Sequence, residues 1–205
     1  SIREGVTHVD TDEGSLPLGF FGKHNLSNLS GAKWICQLMG IDEDDFYQAI
    51  GTFRGASKRL ERLVSGTTSC LFKDFAHAPS KVKATTQAVK EQFPDSKLVA
   101  CLELHTFSSL DPSFILQYRH TLEKADLPIV FYDPEALKIK NRIPISAEEI
   151  FLAFDLPELM VFTEPKKLKK HLLELDYHKS VLLMMSSGNY GGLEWEDLKA
   201  RLSCY

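Results

Sequence analysis

The sequence predicts an α/β protein built on a Rossmann-like, mostly parallel sheet of about six strands with flanking helices. Short, nearly continuous apolar runs recur from about Ser69 onward, which is typical of strands buried on both faces. Segments with apolar residues at helical spacing separate these runs, and this alternation indicates βαβ units in a doubly wound domain. Proline stands at or near the first turn of three helical segments, where its missing N–H costs little.

Five apolar runs are the predicted parallel strands. In chain order they read SCLFK, KLVACLEL, PIVFY, LMVF and SVLLMM. The stretch LERLVSGTTSCLFK places a further strand-like piece before the first of them, across a glycine turn. We expect this piece to pair antiparallel at the edge of the sheet.

Five helical segments are predicted in the same region. Two are defined by apolar spacing, over Val82 to Phe93 and over Phe114 to Leu122. The other three read SAEEIFLAF, PKKLKKHLLEL and EWEDLKARL, and the first-turn prolines are Pro79, Pro112 and Pro165.

Two further helices are predicted upstream, over Asn25 to Leu38 and Asp42 to Phe53. Gly40 suits the end of the first helix, and Asp42 suits the N-cap of the second with Asp45 in a box-like pattern. The stretch FRGASKR has small, helix-breaking residues and three cations, so we place a boundary near Thr52 to Lys58. The residues before this boundary are too few for a separate domain, and we expect them to be the end of a larger one.

Bulk properties exclude several function classes. The 205 residues carry 24 basic and 28 acidic side chains. The resulting net charge of −4 does not indicate a basic surface that would bind nucleic acid or an anionic membrane. No apolar run approaches the roughly 18 residues of a membrane span. The cysteines Cys36, Cys70, Cys101 and Cys204 form no C-x-x-C pair, so free thiols in a reducing compartment are expected.

Five loops follow the carboxyl ends of the predicted strands, where ligands bind in open parallel sheets. They are Asp74 to Pro79, Glu103 to Leu110, Asp133 to Pro144, Thr163 to Pro165 and Ser186 to Gly192.

The first of these loops reads DFAHAP. Asp74 is placed to hydrogen-bond ribose hydroxyls, and His77 to stack on a base or donate to a phosphate. The competing interpretation is that both side chains satisfy backbone groups of a turn. A D-x-x-H spacing without a nearby third ligand does not predict a metal site.

Two other loops are polar. The Gly-rich loop in MMSSGNYGGLEW is either an anion cradle of free N–H groups or a tight strand-to-helix turn. ELHTFSS is either a recognition loop for a polar ligand or an ordinary hydroxyl-rich loop.

Two upstream stretches carry further candidates. In KHNLSN, Asn25 or Ser27 is either a helix N-cap or part of a site. Next to the predicted linker, Lys58 and Arg59 lie either on a solvated face or within reach of a phosphate bound between domains.

Taken together, three motifs resemble the Mur ligases of peptidoglycan synthesis. GKHNLSN (Gly22 to Asn28), FRGASKRLE (Phe53 to Glu61) and DFAHAP (Asp74 to Pro79) occur in the order and at the spacing of that family. The loop LLMMSSGNYGGL is most similar to the murein peptide ligase branch. DFAHAP departs from the commoner D-[FY]-[AG]-H-H-P in having Ala78, so a second histidine role is not expected.

The resemblance implies ATP-dependent amide bond formation. In this family a carboxylate of a UDP-sugar substrate attacks the γ-phosphate, and an amine then displaces phosphate from the acyl phosphate. Magnesium clamps the transferring group, and a positioned cation stabilises its charge. The murein peptide ligase branch joins the tripeptide L-Ala-γ-D-Glu-meso-diaminopimelate to UDP-N-acetylmuramate during peptidoglycan recycling.

The resemblance also implies residue roles. Asn25 and Asn28 would lie near the adenine, Asp74 would bind the ribose, His77 would lie close to the nucleotide, and Arg59 would act catalytically on the phosphates. The acceptor peptide would face two loops, at His105, Thr106, Ser108, Ser186, Ser187, Gly188, Asn189 and Gly191.

The resemblance further implies that the chain is a piece of a larger enzyme. Residues 1–55 would be the tail of the central ATPase domain with a linker, and residues 56–205 the C-terminal domain. The chain begins at Ser1 without an initiator Met and contains no phosphate loop. We therefore expect the missing N-terminal and central domains to hold most magnesium ligands, the chain alone to be inactive, and the protein to be cytoplasmic and bacterial.

Other interpretations stay open. Another Mur ligase, such as UDP-N-acetylmuramate–L-alanine ligase, shares the motifs, and a folylpolyglutamate-synthase-like ligase shares the fold and a D-x-A-H motif. A receiver-like phosphoacceptor module would use Asp74 and Asp133, but it needs a lysine after the fifth parallel strand, and LLMMSSGN has none. A dinucleotide oxidoreductase is disfavoured because DFAHAP replaces the Gly-rich turn.

Overall fold

The computed structural model describes residues 1–3, 5–53, 55–56, 59–134 and 145–205. The chain opens with a small antiparallel sheet of β1 (Ile2–Arg3), β2 (Val6–Thr11) and β3 (Gly14–Pro17). The sequence pattern does not predict these strands. They are short and mostly exposed, so the alternation of apolar and polar residues that identifies a strand is weak there.

Two helices pack on this sheet, α1 (Lys23–Leu38) and α2 (Glu43–Thr52). Both predicted helices are confirmed, and the Asp42 side chain caps α2 by accepting a hydrogen bond from Asp45 N at 2.9 Å. Gly40 follows the last turn of α1 with φ +88°, a backbone conformation that favours glycine. The buried side chains of this unit are Leu18, Leu29 and Phe46.

The first turn of α1 differs from the prediction. The helix begins at Lys23 after Gly22, and no side chain caps it, so the interpretation of Asn25 or Ser27 as an N-cap is wrong. Asn25 lies inside the first turn, where its Nδ2 donates to the Phe21 carbonyl at 2.8 Å.

The remaining strands form one six-stranded sheet in the order β4-β5-β9-β6-β7-β8. As predicted, β4 pairs antiparallel with β5 at one edge, and the other pairings are parallel. β9 inserts between β5 and β6, which are consecutive in the chain. The strands are β4 (Glu61–Ser65), β5 (Ser69–Asp74), β6 (Lys97–Glu103), β7 (Leu127–Phe131), β8 (Met160–Phe162) and β9 (Ser180–Met185).

Helices cover both faces of this sheet. α3 (Pro79–Gln92) and α4 (Ala147–Phe154) contribute to one apolar core, and α5 (Pro165–Glu174) and α6 (Trp195–Ser203) to the other. Successive residues of β9 alternate between these cores, since side chains of a strand point to opposite faces. This confirms the doubly wound α/β prediction.

The predicted helix over Phe114 to Leu122 is wrong. The structure has two short 3₁₀ turns instead, at Ser108–Leu110 and Ile115–Tyr118. The backbone becomes extended at Arg119, and His120 takes φ +57° so that its N–H donates to the Phe154 carbonyl at the end of α4. The apolar spacing reflects burial of this segment rather than a regular helix.

A buried polar contact joins the small N-terminal sheet to α3. Thr7 Oγ1 donates to Gln92 Oε1 at 2.8 Å, and Gln92 Nε2 donates to the Gly5 carbonyl at 2.8 Å. Thr7 and Gln92 are both buried. Beside this contact, Phe21 packs edge-on against Phe72 and Phe93, with ring centroids 5.5 and 5.9 Å apart.

Replacing Gln92 by methionine is expected to lower the free energy of unfolding by about 1–3 kcal/mol, because buried groups on Thr7 and Gly5 lose their partners. Urea denaturation of this chain measures the change. Gln87→Met is the matched control, since the Gln87 side chain on the same helix donates to the exposed Glu91. Equal losses in the two variants would contradict the prediction.

Candidate functional site

Three of the predicted loops meet at the carboxyl edge of the sheet. The loops after β5, β9 and β6 are neighbours because those strands are adjacent, and Ser186 N donates to the Asp74 carbonyl at 3.0 Å. Neighbouring strands lie about 4.8 Å apart, so the ends of β5 and β6 are separated by roughly 10 Å. The loop predicted at Asp133 to Pro144 lies mostly outside the described residues.

A cleft of about 460 Å³ opens where this edge meets α1. Four residues proposed from the sequence, in three separate stretches of the chain, line it together: Asn25, Asn28, Arg59 and Asp74. The first two turns of α1, Arg59 ahead of β4, the end of β5 and the start of α3 form its walls. The remaining lining residues are His24, Phe75, Ala76, Ser80, Lys81, Ala84 and Thr85.

A second, smaller pocket of about 280 Å³ adjoins this cleft and shares Asn25, Asn28 and Arg59 with it. Its other walls are mostly apolar: Phe20, Leu29, Ala32, Ile50, Phe53, Gly55 and Ala56. The shared residues therefore stand between a polar compartment and an apolar one. A ligand with a flat apolar part and an anionic part fits this arrangement.

Asp74 is the buried acid of the cleft, with 8% of its surface exposed. Its Oδ1 accepts a hydrogen bond from Ala76 N at 2.6 Å, and its Oδ2 accepts one from Leu60 N at 2.5 Å. Burial raises the pKa of this carboxyl above its ordinary value, and the two backbone hydrogen bonds partly offset that effect.

The bond to Leu60 connects the sheet to the linker. Leu60 follows Arg59 directly and takes φ +47°, an unusual conformation for a leucine. By holding Leu60 N, Asp74 fixes the backbone that carries the Arg59 guanidinium. This positioning role accompanies the turn contact to Ala76 that the sequence also allowed.

His77 lies apart from the other candidates and does not line the cleft. Its Nδ1 lies 2.9 Å from the Phe75 carbonyl oxygen, and its ring packs edge-on against Phe75 with centroids 5.2 Å apart. Its own carbonyl accepts a hydrogen bond from the Tyr118 hydroxyl at 2.5 Å. Lys58, the other candidate of the linker, is outside the described residues.

His24 and Lys81 line the cleft but were not among the predicted site residues. His24 stands beside Asn25 in the quoted motif KHNLSN, so this motif held the signal. Lys81 comes from the first turn of α3, where only the fold brings it to Asp74. With Arg59, these side chains give the cleft more basic than acidic groups, which favours an anionic ligand.

The loops after β6 and β9 are joined by one buried carboxylate. Glu103 Oε2 accepts hydrogen bonds from the Ser186 hydroxyl and from Tyr190 N, the latter at 2.9 Å. Ser186 Oγ in turn accepts a bond from Gly188 N at 2.6 Å. A Cβ added at Gly188 would lie 2.7 Å from His105 Cγ, so the structure brings His105 together with Ser186 and Gly188.

The other predicted acceptor residues lie on the same two loops. Thr106 and Ser108 hydroxyls lie 3.3 Å apart, and Ser187 Oγ is buried without a hydrogen-bond partner among the described residues. Gly191 has φ +66°, and an added Cβ would lie 2.4 Å from Pro165 Cγ. Asn189 is exposed and its Oδ1 accepts a long bond from Gly192 N.

Among the described residues, no group of three or more His, Cys, Asp or Glu side chains is arranged to hold a metal ion. No helix within the described ranges is both long and apolar enough to cross a membrane.

Comparison with known proteins connects these features to one family. No model of a protein family matches the chain. The chain is 33% identical over 137 residues to a UDP-N-acetylmuramate–L-alanine ligase of Caldicellulosiruptor bescii, an alignment that covers 67% of this chain and 30% of that protein. The chain spans about a third of the length of the curated relatives it matches.

Solved structures show the same fold. A murein peptide ligase of Psychrobacter arcticus aligns over 96% of this chain and 41% of its own, with TM-score 0.61 and 19% identity. The MurF ligase of Thermotoga maritima, solved in complex with ADP, aligns over 98% of this chain and 44% of its own, with TM-score 0.64 and 15% identity. With this likeness in fold and the sequence similarity to a UDP-N-acetylmuramate–L-alanine ligase, the chain belongs to the Mur ligase family.

Proposed function

We propose that this chain is part of an ATP-dependent amide ligase that joins L-Ala-γ-D-Glu-meso-diaminopimelate to UDP-N-acetylmuramate in peptidoglycan recycling. One observation carries the proposal: Asn25, Asn28, Arg59 and Asp74, predicted from separate motifs, line a single cleft. In this proposal residues 1–55 are the tail of a central ATPase domain, and residues 56–205 are the C-terminal domain.

The two compartments suit the two parts of ATP. The apolar pocket would hold the adenine beside Asn25 and Asn28. The polar cleft would hold the ribose near Asp74 and the phosphates near Arg59, with His24 and Lys81 adding positive character. His77 stays a predicted neighbour of the nucleotide, although its side chain lies away from the cleft.

The chemistry would follow from this placement. A carboxylate of UDP-N-acetylmuramate attacks the γ-phosphate and gives an acyl phosphate and ADP, and the acceptor amine then displaces phosphate. Arg59 would stabilise the charge of the transferring phosphoryl group. Magnesium would be held mainly by residues of the central domain, and the acceptor would face the loops of His105, Thr106 and Ser108 and of residues 186–191. Under this proposal the enzyme acts in the bacterial cytoplasm.

A second candidate is a UDP-N-acetylmuramate–L-alanine ligase, which uses a single amino acid as acceptor. The sequence similarity to curated ligases of that name favours it. The similarity of the Ser186 to Gly192 loop to the murein peptide ligases favours the tripeptide.

An acceptor assay separates the two candidates. The full-length protein, supplied with ATP and UDP-N-acetylmuramate, is expected to release phosphate with the free tripeptide at least about tenfold faster than with L-alanine. Phosphate release and the mass of the UDP-linked product measure the reaction. A preference for L-alanine would support the second candidate, and turnover with neither acceptor would reject both.

A further inference from the structure

Glu103 is a buried acid at the carboxyl edge of the sheet. It ends the central strand β6 with only 3% of its surface exposed. Its Oε2 accepts hydrogen bonds from Ser186 and Tyr190, so this oxygen is well satisfied. The other oxygen, Oε1, faces the His105 imidazole, with 3.8 Å between Oε1 and Nδ1.

This distance is too long for a hydrogen bond. In the described ranges no lysine or arginine lies within ion-pair distance of Glu103, and His105 is its one potentially cationic neighbour. A buried carboxylate costs several kcal/mol unless a cation or further hydrogen bonds compensate it. The local geometry therefore leaves Oε1 available to a cation.

The imidazole that faces this oxygen belongs to a side chain that reaches the surface. The His105 side chain is about half exposed. Next to it Gly188 has no side chain, and an added Cβ would lie 2.7 Å from His105 Cγ and 2.8 Å from Glu103 Oε2. The neighbouring Ser187 Oγ is buried and has no hydrogen-bond partner in the part of the chain that the structure describes, so it is a second polar group that a ligand would satisfy.

We infer that Glu103 binds the ammonium group of the incoming amino acid or peptide through Oε1. This inference rests on the proposed function and names the group on the acceptor that the loop site recognises. A primary amine is an ammonium ion at neutral pH, and its positive charge compensates the buried carboxylate. Ser186 and Tyr190 hold the carboxylate in place from the other side.

Calorimetric titration of this chain tests the inference with two pairs of probes. They are L-Ala-γ-D-Glu-meso-diaminopimelate and L-alanine, each compared with the same molecule acetylated on the alanine amine. Glu103→Gln is expected to weaken binding of the free amine at least about tenfold, since a buried charge pair is lost. Binding of the acetylated probe is expected to change less than about twofold. Glu123→Gln, at an exposed acid, is the matched control.

A purely structural role of Glu103 gives a different result. A scaffold role predicts that Glu103→Gln weakens binding of the free amine and of its acetylated partner equally, because a displaced loop affects both probes. The inference would be overturned if Glu103→Gln weakened binding of the free amine and of its acetylated partner to the same degree. It would also be overturned if the wild type bound neither free amine.

ADP binding on the same samples separates this inference from the proposed function. The wild type and Glu103→Gln are expected to bind ADP equally, because Glu103 does not line the nucleotide cleft. If the wild type does not bind ADP, that result would count against the proposed function. Intact ADP binding with no selective effect on the free amine would count against Glu103 alone.

Discussion

Replacing Arg59 by alanine is expected to weaken ADP binding to this chain by about 10- to 100-fold, whereas adenosine binding should change less than about threefold. The guanidinium belongs to an exposed side chain that lines both compartments of the cleft. Its planar set of donors binds phosphate oxygens in pairs, and each hydrogen bond to a charged group contributes about 1.5–3 kcal/mol. Adenosine has no phosphate, so its complex does not contain these hydrogen bonds and the substitution does not remove them.

Two further variants make the result specific. Arg59→Lys keeps the charge but not the paired geometry, so its affinity for ADP is expected to fall between those of the wild type and the alanine variant. Arg119→Ala is the control, because Arg119 is exposed and bonds to Asp155 instead of lining the cleft. Equal weakening of ADP and adenosine by Arg59→Ala would contradict a phosphate contact.

In the full-length ligase the same substitution is expected to lower turnover by about 100- to 1,000-fold, the usual effect of removing a group that stabilises transition-state charge. Saturating ATP should not restore the rate. A variant with a higher KM for ATP but normal turnover would show that Arg59 binds the nucleotide without acting in the chemical step.

Local patterns of the sequence were sufficient to predict most of the sheet. β9 is buried at every position because both faces of the sheet are covered, and its run SVLLMM is apolar after Ser180. Asp42 and Gly40 mark helix ends through their own backbone chemistry. The segment at Ile115–Tyr118 misled the prediction because buried residues recur at helical spacing there while the backbone is set by a contact to α4.

The site was predictable only in part, for a related reason. Motifs identified Asn25, Arg59 and Asp74, but the bond from Leu60 to Asp74 joins residues 14 apart, across the β4–β5 hairpin. The bond from Ser186 to Glu103 spans 83 residues and depends on β9 inserting beside β6. Contacts of this kind are properties of the topology, so no local pattern contains them.

Replacing Asp74 by alanine is expected to lower the free energy of unfolding of this chain by about 2–5 kcal/mol. The change removes the acceptors of two backbone N–H groups, at Ala76 and Leu60, and an unsatisfied buried donor costs about 1–3 kcal/mol. Urea denaturation measures the loss. Asp176→Ala is the control, because this exposed carboxylate accepts one backbone bond, from His178 N, at the surface, and its loss should cost less than about 1 kcal/mol.

The contribution of Asp74 to the free energy of unfolding changes with pH in a defined direction. Burial raises the pKa of Asp74 above 3.8, so the folded chain holds this proton more tightly than the unfolded chain does. The resulting stabilisation is complete below pH 3.8 and is lost as the pH rises through the raised pKa. Relative to Asp74→Asn, which does not titrate, the wild type should therefore lose stability over that interval. The opposite slope would show that hydrogen bonding outweighs burial.

Asp74→Asn also separates positioning from ribose binding. The asparagine oxygen can still accept the hydrogen bond from Ala76 N, so the turn survives. The asparagine NH2 group would face Leu60 N–H, which is also a donor, so the hydrogen bond that holds the backbone next to Arg59 is lost. If Asp74 also contacts the ribose, this variant loses about tenfold in ADP affinity beyond its loss for 2′,3′-dideoxy-ADP, which lacks both hydroxyls. Equal losses for the two nucleotides would restrict Asp74 to holding Leu60, and Arg59 would then account for the whole effect on nucleotide binding.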